Sequence, residues 1–171
     1  MPARSYPVPA FDPARDLVLT RVVDGPRTLV WRAWTEPAHV KRWFTPAPWT
    51  TVECEIDLRP GGIFRTVMRS PEGKDFPNLG CYLDVSDGDR LVWTTALTPG
   101  FRPAVASTLV ENCGVDAITA IIALESVGGG TRYTATVLHS TPEQQKSHEK
   151  MGFHDGWGAA LDQLVALVRT M

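Results

Sequence analysis

The chain has 171 residues, 43% of them hydrophobic and 21% charged, with a formal net charge of -2. That length supports one domain with a sizeable core and is short for two. The composition lacks the basic excess of a nucleic-acid binder and the bias of a disordered tail, and no apolar run is long enough to span a membrane, so neither nucleic acid nor membrane is expected as a partner.

Cys54, Cys81 and Cys113 are odd in number and form no CxxC pair, which argues against a disulfide framework or a zinc site and fits a reducing cytoplasm. Residues 1–14 carry four prolines, each fixing φ and removing an amide donor, so an irregular arm is expected ahead of a single domain over 15–171. The arm has no apolar core of a signal peptide, and the expected location is the cytoplasm. DLVLTRVV (16–23), rich in β-branched residues and closed by Asp24-Gly25, predicts a first strand. Pro26 opens a short helix through Trp34, with Leu29, Val30, Ala33 and Trp34 on one side. Thr35 is placed to cap a second helix, about 36–44, whose apolar face is Val40, Trp43 and Phe44 and which Pro46 and Pro48 end.

From residue 50 the period changes. The turns RPGG (59–62), SPEG (70–73), SDGD (86–89) and GGG (128–130) separate β-prone runs at hairpin spacing, which predicts an antiparallel meander. In GIFRTVMRS, Phe64, Thr66 and Met68 alternate with Arg65, Val67 and Arg69, so the first set is expected inside and the arginines in water. RLVWTTAL (90–97), DAITAIIALES (116–126) and TRYTATVLHS (131–140) complete the strands. The stretch 98–115 is long for a hairpin connection and is not assigned. Thr141-Pro142-Glu143-Gln144 reads as a capping box with proline at the first helical position. From Trp157 onward, Trp157, Leu161, Leu164 and Val168 recur at helical spacing, while Asp162, Gln163 and Arg169 lie elsewhere on the wheel. Helices segregated from an antiparallel sheet define an α+β domain. The sheet should curl around the last helix, leaving a cavity wherever side chains fail to fill the space between them.

The ordered motifs DGPRTLVWRAWTEPAHVKRWF, DLRPGGIFRTVM, GCYLDVSDGDRLVWT, GGGTRYTATVLHS and GFHDGWGAALDQLVAL resemble the SRPBCC (START-like, helix-grip) superfamily over roughly residues 15–169. Within it they resemble the branch named for activators of the ninety-kilodalton heat-shock protein's ATPase. The resemblance implies a curved antiparallel sheet of about six to seven strands wrapped around a long C-terminal helix, with two short helices after the first strand and often an apolar ligand cavity. Functions in the superfamily run from lipid and hormone carriage through polyketide cyclisation to co-chaperone work, and fold alone selects none. Gly156-Trp157 ahead of the C-terminal helix is, in this branch, a structural feature.

Three glycines, Gly152, Gly156 and Gly158, interrupt MGFHDGWGAALDQLVALV (151–168). In an exposed helix each costs about 1 kcal/mol relative to alanine. Their presence predicts a kink near Gly152 and close approach of helix to sheet at Gly156 and Gly158, with Trp157 plugging one end of the cavity. His154 and Asp155 point about 100° apart on a helix and read as a polar rim. His148 and His154, six apart, miss the spacing that lets two helical histidines share a metal, and His39 or His139 would have to complete such a site; no metal, cofactor or catalytic residue is assigned. Glu53, Glu55 and Asp57 share a strand face read as solvated, with Cys54 and Ile56 inward; the opposite phase would put carboxylates of raised pKa into the cavity. Cys81 reads as a small buried hydrophobe.

The expected ligand is a small apolar or aromatic molecule contacting a subset of Trp43, Phe44, Trp49, Phe64, Met68, Trp93, Phe101, Trp157 and Leu161. The leading reading is a non-enzymatic binding protein, a stress or detoxification accessory, compatible with a homodimer. The alternatives are a cyclase- or hydrolase-type enzyme using cavity carboxylates or histidines, and a co-chaperone-like module regulating a chaperone ATPase.

Overall fold

The computed structural model describes residues 8–105 and 116–171. Of the expected arm, 8–12 carry no regular structure and the chain turns at 13–15. Cys113 and most of the unassigned stretch lie outside the described residues.

Strand β1 (Asp16–Val23) coincides with the predicted first strand. It leads through Gly25 into α1 (Arg27–Thr35) and α2 (Pro37–Trp43). Thr35 does not cap α2. Its hydroxyl donates to the Trp31 carbonyl at 2.9 Å, still inside α1, and Glu36 takes the N-cap position without a side-chain bond. A threonine in a last turn has its i-4 carbonyl within reach, and Pro37 at the first position starts α2 without help.

The meander follows as β2 (Thr50–Ile56), β3 (Ile63–Arg69), β4 (Asp75–Ser86) and β5 (Arg90–Thr94). A two-stranded hairpin, β6 (Leu97–Thr98) with β7 (Arg102–Pro103), occupies the start of the unassigned stretch. Then come β8 (Thr119–Val127) and β9 (Gly130–Leu138). Six strands and β1 form one antiparallel sheet in the order β1-β9-β8-β5-β4-β3-β2. In the RPGG turn, Gly61 has φ 80, and a Cβ on Gly62 would collide with the Asp57 carbonyl oxygen, so both glycines are required. Phe64 and Thr66 are buried as expected and Arg65 and Arg69 pair with Glu53 and Asp75. Val67, expected outside, is buried between its cross-strand partners Glu53 and Pro77.

Helix α3 (Pro142–Lys150) starts at the expected cap: Thr141 Oγ1 accepts from the Gln144 amide at 3.2 Å. The reciprocal bond goes one residue further back, from the Ser140 amide to Gln144 Oε1. Gly152, with φ 99, then breaks the helix outright, and α4 (Phe153–Val168) begins after it. The predicted kink is therefore a full stop in left-handed backbone that only glycine adopts at low cost. Phe153, Ala160, Leu161, Leu164, Leu167 and Val168 make the buried side of α4, against Val30 and Trp34 of α1 and the sheet.

Gln163 fixes α4 to the segment after α2. Its amide donates to the carbonyls of Trp43 and Thr45 at 2.9 and 2.8 Å, and its Oε1 accepts from the Ala47 amide at 2.9 Å. Gln163→Ala leaves three backbone groups without partners, two of them at part-buried positions. We expect a loss of about 2 kcal/mol in chemical denaturation; an unchanged midpoint would show that water replaces the amide at no cost.

Candidate functional site

Between the helices and the concave face of the sheet lies a cavity of about 290 Å³ that opens to the surface. Aromatic rings from separate elements build its walls. Trp34 of α1 and Trp43 of α2 meet edge to face at 4.8 Å, and Phe64 of β3 contacts Phe44 at 5.6 Å and Trp93 of β5 at 5.1 Å. Edge-to-face clusters of rigid rings fix their own spacing and cannot collapse to fill a gap as leucines would. Gly156 of α4 lines the same space, and apart from its own helix backbone and chain neighbours no atom lies within 4 Å of where its Cβ would be. Gly158 has open space as well. The expected close approach of helix to sheet at these two glycines is thus absent: at Gly156 the missing side chain leaves cavity volume.

Six of the nine residues expected at a ligand line this cavity: Trp43, Phe44, Phe64, Met68, Trp93 and Trp157. The other three do not. Trp49 packs on Phe76 at 5.3 Å, Phe101 is 51% exposed and rests over Gly61, and Leu161 is sealed in the core. Trp157 is half-buried, 5.2 Å from Phe153. Trp34, Tyr133, His148 and Gly156 also line the cavity and were not among those expected. Trp34 shares its helix face with Val30, a periodicity that marks core and wall alike.

The polar inventory of the walls is small. Trp43 Nε1 donates to the Ala33 carbonyl at 2.8 Å, but the indole N–H groups of Trp34 and Trp93 are buried without a partner. Burial pushes the Tyr133 hydroxyl up; the Trp34 indole is near enough to pull it back, yet falls short of a hydrogen bond. Thr66 and Thr95 add hydroxyls, and exposed Asp116 and Met151 stand where the cavity meets the surface. Glu53 and Glu55 are solvent-facing, as are His154 and Asp155. Burial raises the Cys54 thiol to about 11 against the opposing charge of Lys41, the reverse of what a reactive cysteine needs. Cys81 is fully buried. Among the described residues no group of three or more His, Cys, Asp or Glu could hold a metal ion.

His148 is paired with His139: His148 Nδ1 and His139 Nε2 lie 2.9 Å apart. Burial, and then the charge of His139, push His148 down to about 4.

Tyr82, behind the wall and stacked on Phe64 at 5.5 Å, has a buried hydroxyl with no partner. Tyr82→Phe removes only that orphan group, so we expect the thermal midpoint to rise, by an amount corresponding to about 1 kcal/mol. A drop would reveal a bound water at the hydroxyl.

Seven antiparallel strands gripping a C-terminal helix make this a helix-grip α+β protein. The chain belongs to the family described as Activator of Hsp90 ATPase homolog 1-like protein, which matches residues 24–169. It is similar to the solved structure of protein NE0264 from Nitrosomonas europaea: 49% identical, over 94% of this chain and 97% of that one, with a TM-score of 0.87. The fold is shared with a Rhodobacter sphaeroides protein (21% identical, 95% of this chain and 97% of that one, TM-score 0.79). It is shared too with the AHSA1-like protein of Aeromonas hydrophila (21%, 91% and 92%, TM-score 0.64). A search of curated proteins finds no match. Among the described residues no helix is long and apolar enough to cross a membrane.

Proposed function

We propose that this protein binds a small aromatic molecule, without covalent chemistry, in the cavity between α4 and the sheet. The observation that carries the reading is an open cavity of about 290 Å³ walled by aromatic rings from separate elements, Trp34, Trp43, Phe44, Phe64 and Trp93 among them. At about 290 Å³ the cavity sits at the small end of ligand sites, which favours one or two fused rings over a lipid chain. The aromatic walls supply the apolar contact.

Isothermal titration with 2-methoxynaphthalene, an aromatic with one oxygen acceptor, tests this. Binding at one molecule per chain is expected, with a shift in the Trp93 indole N–H resonance. Absence of heat and of any shift up to the solubility limit would overturn the reading.

A further inference from the structure

The hydrogen bonds of the two histidines define their tautomers. His139 Nδ1 lies 2.9 Å from the carbonyl oxygen of Arg15, and its Nε2 lies 2.9 Å from His148 Nδ1. A carbonyl oxygen only accepts, so His139 Nδ1 carries a hydrogen, and in the neutral ring Nε2 is left as an acceptor. The hydrogen between the rings then belongs to His148 Nδ1. A neutral imidazole has one N–H, so His148 Nε2 is a bare lone pair.

No protein group among the described residues bonds to that nitrogen, and His148 lines the cavity. Because burial holds His148 below its ordinary value, the ring stays neutral at neutral pH. The cavity therefore offers a ligand an acceptor at His148. An apolar hydrocarbon leaves it unpaired. A hydroxylated aromatic has a hydrogen to give.

We propose that His139 holds His148 in its Nδ1–H tautomer so that the bare Nε2 accepts the hydroxyl hydrogen of an aromatic ligand in the cavity. The inference rests on the binding reading above and narrows it to phenol-like molecules. His148 is the contact residue and His139 a positioning residue acting through it.

Two measurements test it. On the wild-type protein at neutral pH, long-range nitrogen–proton spectra report each histidine's tautomer directly; Nδ1–H is expected at both His139 and His148, and Nε2–H at His148 overturns the inference. In titrations, 2-naphthol is expected to bind about tenfold more tightly than 2-methoxynaphthalene, the worth of one hydrogen bond. His148→Phe should erase that preference. His139→Leu, which removes the acceptor for His148 Nδ1–H, should also erase it. His139→Gln should restore it, because a side-chain amide can donate to Arg15 and accept from His148 at once. Equal binding of the two probes by the wild type overturns the inference and leaves the cavity reading standing. A preference that survives His148→Phe also overturns it, giving the hydroxyl to another acceptor such as Asp116. Failure of both probes to bind overturns the cavity reading and this one with it.

Discussion

If the cavity binds a ligand as proposed, Gly156→Leu is expected to weaken that binding about a hundredfold without unfolding the protein. The position is helical and no atom beyond its own helix backbone and chain neighbours stands within 4 Å of the missing Cβ, so the new side chain enters the cavity instead of colliding with the sheet. Forcing a ligand into the reduced space costs about 3 kcal/mol, which corresponds to about a hundredfold weaker binding by calorimetry. Removing a glycine from a helix interior meanwhile adds about 1 kcal/mol of stability. Gly158→Ala separates the two effects: it has the same open surroundings but does not line the cavity. It should gain stability and leave binding as it was. Undiminished binding by Gly156→Leu would mean that ligands sit elsewhere.

Acid begins to weaken the fold above the range in which carboxylates titrate. His148 is neutral in the folded chain down to about 4, whereas in the unfolded chain it takes up a proton near 6.5. Between those values the unfolded state binds the extra proton, so stability is full above about 6.5 and falls as the pH drops toward 4. The loss is on the order of 3 kcal/mol. Asp12, Glu36 and Asp75, held low by hydrogen bonds from Arg15, Arg32 and Arg69, begin to act only near the bottom of that window. Urea unfolding at pH 7 and pH 4.5 should therefore show a clear drop in the wild type and a much smaller one in His148→Gln. Equal drops in both would assign the acid sensitivity to other groups.

The elements were legible wherever a local rule decided them. Asp16–Val23 announces itself by β-branched residues and an Asp-Gly stop, the meander by its glycine turns, and α3 by Thr141 and Pro142. Faces were legible too, since period two and period 3.6 separate Glu53 from Cys54 and Leu164 from Asp162. What periodicity lacks is any measure of where two apolar faces fail to meet. Leu161 and Trp157 occupy one helix stripe, yet the first is sealed in the core and the second borders empty space. Gly156 illustrates the same blindness: a glycine facing a sheet and a glycine facing a void read alike in sequence. Nor does any local signal join His139, just past the end of β9, to His148 in α3. Their contact exists only once the turn at Ser140 and Thr141 has folded α3 back.

The sheet order has a consequence for how the chain is made. Of the described strands β1 is synthesised first, but its one neighbour among them is β9, with Asp16 opposite Leu138 and Val23 opposite Thr131. At about 5–20 residues per second, β1 waits on the order of 5–20 s for its partner to be synthesised. During that interval its backbone hydrogen-bonding groups and Val22, which stays 61% exposed even in the finished sheet, are open to any other extended chain. Sheet closure is then a long-range event with a large loop to order, the kind of topology that folds in milliseconds to seconds. The strand synthesised first is thus among the last to be secured, and newly made chains are most prone to pair with one another at that edge.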